Sequence, residues 1–204
     1  SARTQSALAC DPATSSSAST SAASPATGSV PEAIFPESGE LTVFAAASLT
    51  DAYTEISDTI MAANPGVTIT YNFAGSQALA TQLEQGAPAD VFAAANTTQM
   101  QVAIDAGVIE GEPRTFTRNR LAIVVPADNP AAIETLADLA QDDLRLVLAQ
   151  PEVPVGRYSV QSICMMGEDT ETFGEGFIDS VDENIVSHEE DVRAVLTKVQ
   201  LGEA

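Results

Sequence analysis

The chain has 204 residues, 29 of them acidic and 8 basic. The resulting net charge of −21 excludes most nucleic-acid-binding proteins, because a phosphate backbone requires clustered lysine and arginine. Hydrophobic residues make up 45% of the chain, which is typical of a globular protein with a buried core. The two cysteines, Cys10 and Cys164, are far apart, and we expect neither a CxxC zinc site nor a disulfide scaffold. No apolar run reaches the ~18 residues of a membrane span.

The first forty residues differ in composition from the rest. From Asp11 to Pro31 nearly every residue is Ser, Thr, Ala, Pro or Gly, and such a segment is predicted to be a flexible tether. The preceding residues, Ser6-Ala7-Leu8-Ala9-Cys10, resemble a bacterial lipoprotein processing site with Cys10 as the lipid-anchored residue. Residues 1–40 are therefore predicted to be a remnant of a lipoprotein signal plus a tether. The alternative is a cysteine without a role in a disordered tail.

Residues 41–106 alternate between strand and helix patterns. Strands are predicted at 41–46, 67–73 and 90–93, with helices at 48–63, from 76, and at 97–106. Ser48 is predicted to cap the first of these helices, with Asp51 at the spacing of a capping box, and Asn64-Pro65-Gly66 ends it.

The second half of the chain continues this alternation. Strands are predicted at 120–125 and 144–149, and helices at 133–140, from about 156, and at 190–201. The apolar run 121–125, ended by Pro126, is typical of a buried strand. Strands that alternate with helices predict an α/β fold with mostly parallel sheets covered on both faces.

Ligands of such sheets bind at the carboxyl ends of the strands, where loops lead into helices. Ser48 and Ser76 follow the first two strands, while Val155 and Val192 lie at the beginnings of two later helices. Helix N-termini carry unpaired N–H groups and partial positive charge, so several of them converging on one point form an anion site without lysine or arginine. A single serine at a helix start is more often a plain cap.

A hydrolase is the first alternative, with Ser48 or Ser76 as the nucleophile and His188 as the base. No GxSxG motif surrounds either serine. We therefore expect no catalytic residue and no enzymatic activity.

Metal-cation sites are the second alternative. Glu189, Glu190 and Asp191 are consecutive, so they point in different directions on a helix, and we expect them to favour its positive N-terminal end. Cys164, which precedes two methionines, is expected to be a small buried hydrophobic residue rather than a ligand of a soft metal. The sequence predicts no direct cation ligand and no cofactor.

Five stretches together resemble the molybdate-binding proteins of bacterial ABC importers. They are Leu41-Thr-Val-Phe-Ala-Ala-Ala-Ser-Leu-Thr50, Phe73-Ala-Gly-Ser-Gln77, Gln85-Gly-Ala-Pro-Ala-Asp-Val-Phe92, Pro151-Glu-Val-Pro-Val-Gly-Arg-Tyr158 and Glu190-Asp-Val-Arg193. The resemblance covers residues 41–204. It implies a type II periplasmic-binding fold with two lobes, each a mostly parallel sheet flanked by helices: lobe 1 at 41–117 and lobe 2 at 118–204.

The resemblance also implies a ligand and partners. Ser48 and Ser76 are expected to donate hydroxyl and backbone hydrogen bonds to molybdate or tungstate, and Val155 and Val192 to donate backbone N–H groups. The metal is held through its oxyanion oxygens. A monomer outside the cytoplasm, in the periplasm or on the cell surface, is expected to deliver the anion to an ABC permease, with the membrane contacted only through the lipid anchor. A sulfate-type receptor and a non-transport oxyanion sensor are the alternatives.

Two departures from the family pattern are visible. The family places a ligand tyrosine in a strand after the last helix, where this chain reads Leu201-Gly-Glu-Ala204; we expect a truncated chain without that tyrosine and the segment that returns to lobe 1. Gln77 stands where the family often has a further serine. This replacement predicts a difference in selectivity.

Overall fold

The computed structural model describes Leu8, Cys10 and residues 38–204. The predicted tether, residues 11–31, lies outside the described residues. Of the helices that are described, none combines the length and apolarity needed to cross a membrane.

The first sheet contains three parallel strands in the order β2-β1-β3. They are β1 (Gly39–Ala46), β2 (Val67–Ala74) and β3 (Val91–Ala93), and they alternate with the helices α1 (Thr50–Ala63), α2 (Ser76–Glu84) and α3 (Thr97–Asp105). Successive β1 side chains point to opposite faces, so Val43 packs in one core cluster and Phe44 in another, with Leu79 of α2. Both faces of the sheet are therefore covered, as the sequence predicts.

The second sheet is a parallel pair, β4 (Leu146–Ala149) and β5 (Ile185–Glu189). Four helices accompany it: α4 (Pro154–Glu168), α5 (Thr170–Phe173), α6 (Phe177–Asn184) and α7 (Val192–Gln200). Its core is formed by Leu139, Leu148, Ile163, Phe177 and Val181. The buried amide of Asn184 donates to the carbonyl oxygens of Leu139 and Gln141. These bonds fix the end of α6 to the turn before β4.

The first sheet and its helices lie within the stretch predicted as lobe 1, and its elements match the predicted ones closely. The predicted cap of α1 is wrong. Ser48 lies inside a 3₁₀ turn, Ala47–Leu49, and α1 begins at Thr50 with Leu49 at its N-cap and no side-chain cap. The chain leaves β1 directly into this turn, so Ser48 is already in helical backbone and its side chain does not cap α1.

Three predictions in lobe 2 are wrong. Residues 120–125 form no strand, and Leu121, Ile123 and Val124 are exposed; a strand exists only with a hydrogen-bonded neighbour, and no described strand pairs with this run. The helix predicted at 133–140 is a 3₁₀ turn, Leu136–Ala140. No strand is predicted at residues 185–189, where β5 forms.

The cysteines also differ from expectation. Cys10 and Cys164 of α4 form a disulfide across 154 residues of sequence, and Leu8 packs against the core of the second sheet. Spacing alone cannot exclude such a bond, because the fold brings distant residues together. Cys164 is thus a covalent anchor point rather than a small apolar filler. The bond occupies the Cys10 sulfur that lipid anchoring requires, so the two states of Cys10 exclude each other.

Candidate functional site

The carboxyl edge of the first sheet places the two predicted serines side by side. Ala46, the last residue of β1, pairs with Ala74, the last residue of β2, so the turn with Ser48 and the start of α2 begin at neighbouring points. Ser48 is exposed, whereas Ser76 is buried and its Oγ accepts a 2.9 Å hydrogen bond from the N–H of Ala95. A serine oxygen that accepts one bond still has its own proton to donate.

The carboxyl edge of the second sheet places the two predicted valines in the same way. Ala149 of β4 pairs with Glu189 of β5, and these strands lead to α4 and α7. A Cβ on Gly156 would overlap the carbonyl oxygens of Ala149 and Gln150. Glycine at this position lets the first turn of α4, with the N–H of Val155, lie directly on the end of β4.

The beginnings of these helices retain donors that no side chain caps. The Ala47–Leu49 turn, α2 and α4 have no side-chain cap. Asp191 caps α7, but its Oδ1 accepts from the N–H groups of Arg193 and Ala194 and leaves the N–H of Val192 outside the cap. Helix N-termini with unpaired N–H groups attract anions. Both sheets therefore present N–H donors without side-chain caps at their carboxyl edges.

Two contacts join the edges of the two sheets. Nη1 of Arg193 lies 2.6 Å from Oδ2 of Asp51, in the first turn of α1. Nε2 of Gln77 donates to the carbonyl oxygen of Glu190 over 3.3 Å. Helix α7 also packs against the Ala47–Leu49 turn.

These contacts bring the segments that contain three predicted ligand residues, Ser48, Ser76 and Val192, next to one another. Val155 follows β4, which pairs with β5. Val155 therefore lies at the same edge of the second sheet as Val192.

The side chain of Gln77 makes contacts that its sequence position does not indicate. Its carboxamide folds over Gly75, occupying the place that a side chain there would take. Within the described part of the chain, its Oε1 is buried without a hydrogen-bond partner. Sequence reasoning noted only that Gln77 replaces a serine, and it missed the contacts of Asp51 and Arg193.

The residues of the rejected alternatives lie elsewhere or have other roles. Asp191 caps α7, so the predicted role of this acidic group at the helix start is confirmed for that residue. His188 and Glu189 lie on β5 instead of on a helix, and His188 is exposed. Glu189 accepts a 2.7 Å hydrogen bond from the Ser187 hydroxyl.

Solved structures with this architecture define the class of fold. The sulfate-binding protein SubI from Mycobacterium tuberculosis H37Rv superimposes with a TM-score of 0.65 at 16% identity, covering 81% of this chain and 62% of that one. The periplasmic molybdate-binding protein of Azotobacter vinelandii gives 0.55 at 16% identity, covering 80% and 68%. The chain has the α/β fold of type II periplasmic-binding proteins.

Sequence comparison identifies the family. Residues 41–204 match the family described as bacterial extracellular solute-binding protein, and the chain belongs to it. The molybdate-binding protein ModA of M. tuberculosis H37Rv is 44% identical over 164 residues, which cover 80% of this chain and 58% of that protein. The Escherichia coli K12 protein of the same name is 36% identical over 138 residues, covering 64% and 53%. The chain thus spans little more than half the length of these relatives.

Proposed function

We propose that the chain captures molybdate or tungstate between its two lobes, 41–117 and 118–204, and delivers it to the permease of an ABC importer. The observation that supports this proposal is the contact between the two sheet edges: α7 packs against the Ala47–Leu49 turn, and Gln77 at the start of α2 bonds to Glu190. In this proposal, Ser48 and Ser76 donate hydroxyl and backbone hydrogen bonds, and Val155 and Val192 donate backbone N–H groups. The ModA relatives support molybdate as the ligand. The function is binding without catalysis, by a monomer.

Donors of this kind suit a tetrahedral dianion. Molybdate and tungstate near neutral pH accept hydrogen bonds and donate none, so neutral N–H and O–H groups match all four oxygens. Hydrogen bonds to a charged group contribute about 1.5–3 kcal/mol each. Arg193, next to Val192, is already paired with Asp51. Dipoles and hydroxyls, rather than a free cation, hold the ligand in this proposal.

The acidic surface does not prevent anion binding. Charges separated by more than the Debye length of ~8 Å at physiological salt are largely screened. The excess of 29 acidic over 8 basic residues therefore lowers mainly the rate of association, because a repulsive net field slows the approach of an anion. Affinity is set locally by the uncapped helix starts.

We propose that the protein acts outside the cytoplasm. The Cys10–Cys164 disulfide supports this location, since disulfides persist in oxidising compartments. A lipid anchor on Cys10 is the other state of that residue and leaves the Cys164 thiol free. Mass spectrometry of the protein purified from its host membrane, after digestion without reduction, distinguishes a diacylglycerol-modified Cys10 peptide from a peptide pair joined to Cys164.

Isothermal titration calorimetry with molybdate, tungstate and sulfate tests the ligand. We expect one site for molybdate and tungstate, with weaker binding of sulfate. A preference for sulfate would support the sulfate-type receptor instead. Absence of binding for all three anions would refute the proposed function.

A further inference from the structure

One ion pair joins two residues that adjoin candidate ligands from opposite lobes. Asp51 follows Ser48 by three residues in the first turn of α1, and Arg193 directly follows Val192 in the first turn of α7. Their side chains meet at 2.6 Å although 142 residues separate them in sequence. The pair therefore connects the helix start near Ser48 directly to the one that holds Val192.

The other hydrogen bonds of α7 hold Arg193 in a fixed backbone position. Its own N–H donates to Oδ1 of Asp191 at 2.7 Å, so the cap sets the first turn of α7 while the guanidinium reaches out to Asp51. The second described ion pair, between Lys198 and Glu203, has both members in lobe 2. Among the described residues, Asp51–Arg193 is thus the ion pair that spans the cleft.

We propose that Asp51 and Arg193 are positioning residues of the oxyanion site: their ion pair holds the N-terminus of α7 against lobe 1, so that Val192 and Ser48 face one ligand. This inference rests on the proposed function. Neither residue contacts the anion, because the carboxylate repels it and the guanidinium is already engaged. The pair acts by raising the fraction of molecules in which the two half-sites lie together. Apparent affinity scales with that fraction.

The first test compares variants by calorimetry with molybdate. Asp51→Asn and Arg193→Met each remove the pair, and we expect the dissociation constant to rise about two- to fivefold, the range that exposed ion pairs reach. Glu203→Gln is the matched control, because it removes an ion pair near the end of the same helix whose two members both lie in the predicted lobe 2. This control is expected to bind like the wild type.

Exchange of the two charges separates positioning from a local structural role. Asp51→Arg alone and Arg193→Asp alone each place like charges together and are expected to weaken binding more than the neutral variants do. The double variant with both exchanges restores the pair and is expected to bind within about twofold of the wild type. A double variant no tighter than the weaker single variant would overturn the inference.

A ligand-free measurement separates this inference from the proposed function. Spin labels on cysteines introduced at Glu55 of α1 and Gln200 of α7, both exposed, report the distance between the lobes while the native disulfide stays oxidised. Asp51→Asn is expected to shift the distribution to longer distances, and Glu203→Gln to leave it unchanged. Unchanged distances in Asp51→Asn overturn the inference, whereas failure of the wild type to bind any oxyanion overturns only the proposed function.

Discussion

The side-chain amide of Gln77, at the start of α2, donates to the carbonyl oxygen of Glu190, 113 residues later and on the other side of the cleft. Its second polar atom, Oε1, is buried without a partner in the described part of the chain. An unpaired buried acceptor costs about 1–3 kcal/mol. A ligand that brings a proton to this atom recovers that cost.

Gln77 is therefore expected to affect selectivity between protonated and unprotonated anions. Gln77→Met keeps the length of the side chain and removes both polar atoms. We expect it to lower the affinity for hydrogen phosphate relative to molybdate by about tenfold, because only the wild type offers an acceptor. Competition calorimetry at pH 8 measures this ratio. An unchanged ratio would show that Oε1 does not face the ligand.

The alanine variants of the two serines are expected to differ in stability, although both serines are proposed to bind the anion. Ser48→Ala and Ser76→Ala each remove a hydroxyl donor, and we expect each to weaken molybdate binding by about ten- to hundredfold. Ser76→Ala also leaves the N–H of Ala95 without its acceptor, which costs about 1 kcal/mol of folding free energy. Because Ser48 is exposed, Ser48→Ala is expected to change the folding free energy by no more than about 0.5 kcal/mol. Urea unfolding combined with calorimetry separates the effects, and unchanged affinity in both variants would refute the assigned site.

Gly156→Ala tests the close approach of α4 to the end of β4. Its new methyl group would overlap two backbone carbonyl oxygens, so α4 must shift, at a cost of about 1–3 kcal/mol. We expect lower stability and weaker molybdate binding, since the N–H of Val155 moves with the helix. Gly167→Ala is the control: its methyl group meets only the side chain of Ile178, which can change rotamer. Equal binding losses in the two variants would contradict a specific role of Gly156.

Asp138 provides a pH prediction. Hydrogen bonds from the backbone N–H groups of Glu134 and Thr135, and from the Thr135 hydroxyl, lower its pKa from the ordinary value of 3.8 to about 2. A carboxyl whose pKa is lower in the folded state stabilises the fold above its unfolded pKa. That contribution is lost as the pH falls from about 4 to about 2. The NMR titration of the Asp138 carboxyl should have its midpoint near 2, and in Thr135→Ala the midpoint should move upward. A midpoint near 4 in the wild type would be inconsistent with these three hydrogen bonds to Asp138.

The elements of lobe 1 could be predicted because their signals are local. Strand β2 alternates, Asn64-Pro65-Gly66 ends α1, and each strand is directly followed by its helix. In the stretch predicted as lobe 2, the sequence predicts one strand that does not form and misses one that does. Residues 121–125 are apolar but pair with none of the described strands, whereas β5 contains Ser187, His188 and Glu189 and still pairs with β4. Strand formation depends on the partner, which a local pattern does not contain.

For the candidate site, too, the sequence indicates local features but not long-range contacts. Ser76 could be located because a strand end followed by a helix start is visible in sequence, and Val192 because the start of the last helix is visible. The contacts that join the lobes, Gln77 with Glu190 and Asp51 with Arg193, link residues more than one hundred positions apart. Nothing at either position indicates its partner. The same applies to the bond between Cys10 and Cys164.

The disulfide between Cys10 and Cys164 determines whether a single proteolytic cut releases a fragment. Hydrolysis of any one peptide bond between Cys10 and Cys164 leaves two fragments that remain joined through the sulfur atoms. A molecule cut once between residues 11 and 37 therefore keeps its full mass on a non-reducing gel and releases a short N-terminal peptide only after a reductant is added.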